Sequence, residues 1–178
     1  MRVLCLTLLL LLAVPAQRSL PSRAELAAVE KNIDTRFKRI SLESPIDLLG
    51  MTRGVYLNGY GSVFTAEVNL LVAPGISPFR PSVSKEEVAQ VKSFKMRRLP
   101  EFRALMQQLL LDSAGALDRV PENEQVVLAV TLLYQSWEDR SGLPATIQMQ
   151  AQRRALLDIA TNRVPRTSLA STIQMREE

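Results

Sequence analysis

Residues 124–134 constrain the fold more than any other segment, because they are apolar at both sets of alternating positions. Valine and leucine recur through the segment without the polar alternation of a half-exposed strand. A continuous apolar run of this kind is typical of a strand that is covered on both faces. We therefore predict that it is the central strand of a sheet.

Three other segments have the pattern of strands. Residues 54–58 and 62–72 flank a Gly-Tyr-Gly turn, and the second of them alternates between apolar and polar side chains. Glycine supplies the positive φ angles that a tight reversal needs, so this pair predicts a hairpin. Residues 145–151 alternate in the same way and predict a further strand.

A capping box, Ser22 with Glu25, opens an amphipathic N-terminal helix that we predict over residues 23–41. In a capping box, the two side chains satisfy free amide groups at the helix start. After it, one helical face is apolar, and this stripe must find a partner surface. It docks either on the sheet of its own chain or on a second copy, in a homo-oligomer formed through Val29, Ile33 and Phe37.

A second capping box, Ser84 with Glu87, precedes the longest helical segment of the sequence. Pro100 lies inside that segment and predicts a kink or a break near Leu99, because proline removes a helical hydrogen bond and clashes with the preceding turn. A short third helix is expected at residues 153–161.

Together these elements predict an α+β protein. Two successive strand-strand-helix units form a four-stranded, mainly antiparallel sheet with helices on one face, preceded by the N-terminal amphipathic helix. The predicted division of the chain is a secretory signal peptide (1–16), the N-terminal helix (17–44), a single α+β domain (45–164) and a C-terminal tail (165–178).

The start of the chain has the three parts of a secretory signal peptide. Arg2 supplies a positive charge, residues 3–14 are almost entirely apolar, and small or compact residues lead to Ala16. The apolar run is shorter than the roughly 20 residues of a membrane-spanning helix, although an uncleaved anchor is the alternative. We therefore predict cleavage after Ala16 and a periplasmic or extracellular protein.

The amino-acid composition excludes several classes of catalytic and metal-binding chemistry. The chain has no histidine, and its one cysteine, Cys5, lies in the predicted signal peptide. Ser-His-Asp and Cys-His hydrolysis and the usual zinc sites are therefore excluded. We assign no catalytic, cofactor-binding or metal-ligating residue.

The charge pattern argues against a nucleic-acid partner. The net charge is +4, but acidic residues are interspersed with basic ones nearly everywhere, whereas a nucleic-acid binder concentrates its charge on one face. One basic segment surrounds Pro100, and it is either a solvated helix face or a peripheral contact with an anionic surface. It contains Lys92, Lys95, Arg97, Arg98 and Arg103.

Four further side chains are candidate ligand or partner contacts. Tyr56, Asn58 and Tyr60 surround the glycine turn, which is either a ligand loop or a hairpin turn with flanking aromatics. Trp137 lies in a charged loop, where it either anchors a partner or folds back on its own sheet. With Arg97 and Arg98, these are the predicted contact residues.

The string from Val55 to Val68, followed by a helix, a valine-rich strand and a further strand and helix, resembles exported bacterial proteins. The resemblance spans residues 45–161; it implies export to the cell envelope and carries over no functional residue. The function we expect is that of an exported, non-enzymatic module that binds a protein or an envelope component. The alternatives are an envelope hydrolase or transferase that uses carboxylate or serine chemistry, and a structural or assembly subunit.

Overall fold

A computed structural model describes residues 20–40, 46–72, 75–79 and 81–178. The predicted signal peptide lies outside these ranges. Within them, the helices are α1 (Arg23–Lys38), α2 (Lys85–Ala116), α3 (Arg153–Ala160) and α4 (Leu169–Thr172). The strands are β1 (Asp47–Leu48), β2 (Arg53–Leu57), β3 (Gly61–Asn69), β4 (Gln125–Leu132), β5 (Thr146–Gln152) and β6 (Gln174–Glu177).

The fold is α+β, as predicted, but the sheet is larger and less antiparallel than expected. The described strands form one 6-stranded mixed sheet in which β1 and β2 both pair with β3, followed by β4, β5 and β6. The pair β3–β4 is parallel, whereas the other pairs are antiparallel. Parallel neighbours need a long crossover connection, and α2 supplies it.

Strand β4 lies between β3 and β5, which confirms the predicted central position. The expectation that it is covered on both faces is wrong, because Ala129 is only half-buried and Thr131 is exposed. Its residues Val126 and Val130 are 0% exposed, and Phe64 of β3 is 1% exposed. These side chains belong to one hydrophobic core with the buried faces of the helices. Most side chains on the opposite face of β3, β4 and β5 are half-buried or exposed. The helices therefore pack on one face of the sheet.

Helix α1 docks on its own chain. The capping box of Ser22 and Glu25 forms as predicted, and the helix ends at Lys38, slightly before the predicted limit of residue 41. Its side chains Val29, Ile33 and Phe37 are buried in the core, and the Phe37 ring stacks on Phe102 of α2 at 5.4 Å. Of the two alternatives, the structure therefore favours docking on the same chain over pairing with a second copy through these side chains.

Helix α2 continues through Pro100, so a break near Leu99 is wrong, and a kink at this position stays a prediction. One helix of 32 residues runs from Lys85 to Ala116 with Pro100 inside it. Both Pro100 and Met96 are exposed. Pro100 therefore lies on the solvent-exposed side of the helix and not against the core.

The first turns of α2 extend past the end of the sheet. A helix of 32 residues is about 48 Å long, whereas the 9 residues of β3 span about 30 Å. Lys95 donates to the carbonyl of Leu133, just after β4, and Arg98 donates to the carbonyl of Leu70, just after β3. Residues before Lys95 therefore lie beyond this carboxyl edge of the sheet, and none of them is buried.

The predicted C-terminal tail, residues 165–178, ends in a strand of the sheet. A short 3-10 turn and α4 lead into β6, which pairs with β5 in antiparallel register. All four residues of β6 are exposed, so their sequence carries no alternation of apolar and polar side chains. This strand forms through its pairing with β5, and its own sequence has no pattern that predicts it.

Candidate binding surface

The tyrosine turn is held by contacts within the chain. The hydroxyl of Tyr56 and the amide of Gly59 both donate to the carboxylate of Glu124, each at 3.2 Å. Burial and the neighbouring Glu124 carboxylate raise the pKa of Tyr56. The hydroxyl of Tyr60 donates to Gln150 on the open face of the sheet at 3.4 Å, and Asn58 is exposed. The turn thus connects the β2–β3 hairpin to the start of β4.

Gly61 explains why this turn needs glycine. Its φ is +138°, and a Cβ atom there would lie 1.9 Å from the carbonyl oxygen of Gln125. A side chain would therefore separate β3 from β4 at the start of their parallel pairing. Gly61 therefore serves strand packing, and Gly59 supplies a positive φ of +80°; both roles favour the hairpin interpretation of this string.

The predicted basic segment is divided between the core and the surface. Arg97 is exposed, but Arg98 is 5% exposed and donates to the carbonyl of Leu70 at 2.9 Å. Burial lowers the pKa of Arg98, with a smaller opposing effect of Glu101. Arg98 is therefore not a surface cation, and the expectation that it contacts a partner directly needs correction.

Lys95 is also buried, and sequence reasoning missed this. Its ammonium group pairs with the Glu138 carboxylate at 2.5 Å, and the two side chains are 0% and 2% exposed. It also lies 4.7 Å from the centre of the Tyr134 ring. Burial lowers the pKa of Lys95 and raises that of Tyr134 to about 12. We call Lys95, Arg98, Tyr134 and Glu138 the edge cluster.

Trp137 lies beside the edge cluster in sequence and is half-buried, which favours folding back on its own chain over a fully exposed partner anchor. Its indole Nε1 is buried without a hydrogen-bond partner, as is one terminal nitrogen of Arg98. The edge cluster holds α2 against the loop after β4. It cannot itself receive a ligand from solvent, because Lys95 and Glu138 are closed off.

The accessible surface at this end of the molecule lies on the first turns of α2. A shallow groove of about 720 Å³ runs along them, lined mainly by Lys85, Val88, Lys92, Met96, Arg97 and Asp139. Lys92 pairs with Asp139 at 2.7 Å and also contacts the Ser141 hydroxyl. The bonds from Lys92 and from the amide and hydroxyl of Ser141 hold the pKa of Asp139 well below its usual range.

The loop between β3 and α2 adds exposed apolar side chains to the same end of the molecule. Phe79 is 99% exposed, Val72 59% and Ile76 51%, and Met96 in the groove is 43% exposed. The three loop residues lie within eight positions of one another in the chain and shortly before α2, and exposed large apolar side chains that lie near one another mark interaction sites. We call the groove and these three loop residues the overhang surface.

Other potential sites are weaker. A polar recess of about 630 Å³ is lined by residues 118–123 with Arg153 and Arg154. Two nitrogens of Arg153 already donate to the carbonyl groups of Ala114 and Val120. In the described parts of the chain, no group of three or more Asp, Glu, His or Cys side chains is placed to hold a metal ion. The described helices include none long and apolar enough to cross a membrane.

Comparison of the chain with protein-family models, curated proteins and solved structures finds no significant match. We therefore describe the class of this protein from its own fold. It is an α+β protein with a mixed sheet and a long helix whose first turns extend beyond that sheet.

Proposed function

We propose that this chain is an exported, non-enzymatic binding module for a protein or another component of the cell envelope. The observation that carries the proposal is the overhang surface. Folding buries side chains of α2 from Lys95 onward, but none between Lys85 and Lys95. An isolated helix end gains little stability in water, so its apolar side chains are well suited to a partner.

The chemical character of the overhang surface supports binding over catalysis. It is shallow, its cations outnumber its acids, and its apolar side chains project outwards. Active sites are more often concave pockets with convergent polar groups. The alternative of a hydrolase or transferase would place its chemistry in the polar recess, where the Arg153 guanidinium is already used to hold backbone carbonyl groups.

Export is tested on the N-terminus of the protein recovered from cells. The expected product begins at Gln17 and lies on the far side of the inner membrane, because the segment before it has the parts of a cleaved signal. Intact-mass analysis identifies the first residue of the product. A compartment-sensitive reporter fused after residue 30 shows on which side of the membrane it lies. A cytoplasmic product that retains Arg2 would contradict export.

Binding is tested by co-sedimentation of the purified chain from Gln17 with envelope fractions. We expect Val88→Glu/Met96→Glu to lower the bound fraction at least tenfold, because both substitutions place charge in the groove. Gln90→Glu is the matched control, since Gln90 is exposed on α2 and does not line the groove. Equal binding by all three proteins, or no binding by any, would contradict the proposed surface. A stable complex of fixed stoichiometry with one envelope protein would favour the assembly-subunit alternative.

A further inference from the structure

We propose that the partner of the overhang surface is a lipid bilayer that contains anionic phospholipid. This inference rests on the proposed function and names the class of partner for that surface. It is carried by the combination of one nearly fully exposed aromatic residue, further exposed apolar side chains, and two cations that form no ion pair within the described part of the chain, all at one end of the fold.

The apolar part is a projecting loop. Phe79 is 99% exposed, so its ring makes almost no contact with the rest of the chain. Ile76, at 51% exposure, lies three positions before it, and both precede the start of α2. A protein partner would need a pocket shaped for this ring, whereas lipid chains conform to any projecting apolar group. Side chains of this kind enter the boundary between headgroups and acyl chains, about 5–10 Å deep.

The charged part flanks the loop on the first turns of α2. Lys85 and Arg97 line the groove, and neither is paired with a carboxylate elsewhere in the described ranges. Lys92 is paired with Asp139, so the groove keeps two cations for an external anion. Each such cation strengthens binding to an anionic membrane about fivefold.

The two parts are close enough to act on one membrane surface. Six peptide units separate Phe79 from Lys85, which limits the distance between their Cα atoms to about 21 Å. Along α2, the groove from Lys85 to Arg97 covers about 18 Å. The edge cluster holds the base of this region, because Arg98 donates to the carbonyl of Leu70, where the loop leaves β3.

An anionic wall polymer is the main competing partner, and it predicts a different result. A polymer would be bound by the cations, and binding would not require the Phe79 ring. A bilayer with anionic headgroups uses both parts, so loss of either the aromatic ring or the two cations weakens binding. Two variants therefore distinguish the bilayer from the polymer: one that removes the aromatic ring and one that reverses the charge of the two cations.

The test is flotation of the purified chain from Gln17 with vesicles of phosphatidylcholine alone or with 30% phosphatidylglycerol, a composition chosen on the order of natural anionic content. This chain keeps every described residue and lacks the predicted signal, which would bind lipid by itself. We expect binding to the anionic vesicles that weakens with salt and weak binding to phosphatidylcholine. Phe79→Ser is expected to reduce affinity at least fivefold, and Lys85→Glu/Arg97→Glu at least tenfold.

Two controls match these substitutions elsewhere on the surface. Met51→Ser removes an apolar side chain that is 61% exposed, and Lys31→Glu/Arg154→Glu reverses two exposed cations on α1 and α3. Both should bind as the unchanged protein does, and all variants should keep its melting temperature. No binding to anionic vesicles, equal loss in the controls, or full binding by Phe79→Ser would overturn the lipid inference. If envelope fractions are still bound in that case, the proposed function stands and only the lipid partner fails.

Discussion

At the scale of single residues, the carboxylate of Glu30 links α1 to the sheet. It accepts two bonds from the Arg23 guanidinium, at 2.7 and 2.6 Å, and one from the Gly54 amide at 2.6 Å. Burial acts to raise the pKa of Glu30, but the bonds from Arg23 and Gly54 outweigh it, and the pKa is lowered. The ionised form is thus favoured in the folded chain.

This shift predicts a pH-dependent contribution to stability. A carboxyl group with a lowered folded pKa stabilises the protein above its unfolded pKa of about 4.3, and the contribution is lost as the pH falls through the folded value. Glu30→Gln should lower the free energy of unfolding by about 1.5–3 kcal/mol at neutral pH. In denaturant titrations, the difference in the free energy of unfolding between Glu30→Gln and the unchanged protein should become smaller below about pH 4. Glu67→Gln, at an exposed position of β3, should show neither effect.

The buried pair of Lys95 and Glu138 gives a second prediction at this scale. Glu138→Gln should lower the free energy of unfolding by about 3–5 kcal/mol, because it leaves the Lys95 ammonium buried without its counter-charge. The double variant Lys95→Met/Glu138→Leu should recover most of that loss, since an apolar pair of similar volume carries no desolvation cost. A double variant less stable than Glu138→Gln, measured in urea, would mean that the ion pair itself stabilises the fold.

At the scale of elements, α1 is part of the core and not a detachable arm. Phe37 is 0% exposed and stacks on Phe102 of α2. Phe37→Ala should therefore lower the free energy of unfolding by about 3–5 kcal/mol, through lost burial and a residual cavity. Lys31→Ala, at an exposed position of the same helix, should change it by less than about 0.5 kcal/mol. Unchanged stability of Phe37→Ala, with a changed sedimentation mass, would restore the homo-oligomer hypothesis.

Elements with strong local signals could be predicted, and elements that depend on pairing could not. Both capping boxes and the β2–β3 hairpin lie where the sequence placed them. Strand β1 has only 2 residues, and β6 has none that is buried, so neither has a pattern to detect. Each of these two strands exists because a longer strand offers it a free edge.

At the scale of the whole molecule, the faces of the sheet differ, and neighbouring residues test this directly. Phe64 is 1% exposed in the core, whereas Thr65 is exposed on the opposite face. Phe64→Asp buries an unpaired charge and should unfold the domain or remove several kcal/mol of its stability. Thr65→Asp should cost at most about 1 kcal/mol. Similar melting temperatures for the two variants would contradict this arrangement of the sheet.

The sequence by itself determined the features that depend on residues a few positions apart. The apolar run of β4 identified the central strand, and the serine–glutamate spacings identified the starts of α1 and α2. Hydrogen bonds and periodicity over one or two turns are local, so these features can be read without knowledge of the fold.

Only the tertiary structure decided which cations of the basic segment are buried and that β3 and β4 are parallel. Glu138, the partner of Lys95, lies 43 positions away, and the carbonyl that Arg98 contacts lies 28 positions away. The sequence gives Arg97 and Arg98 the same local environment, yet the path of α2 across the sheet buries one and exposes the other. A charged side chain becomes buried only when distant groups compensate its desolvation, and those groups meet only in the folded chain.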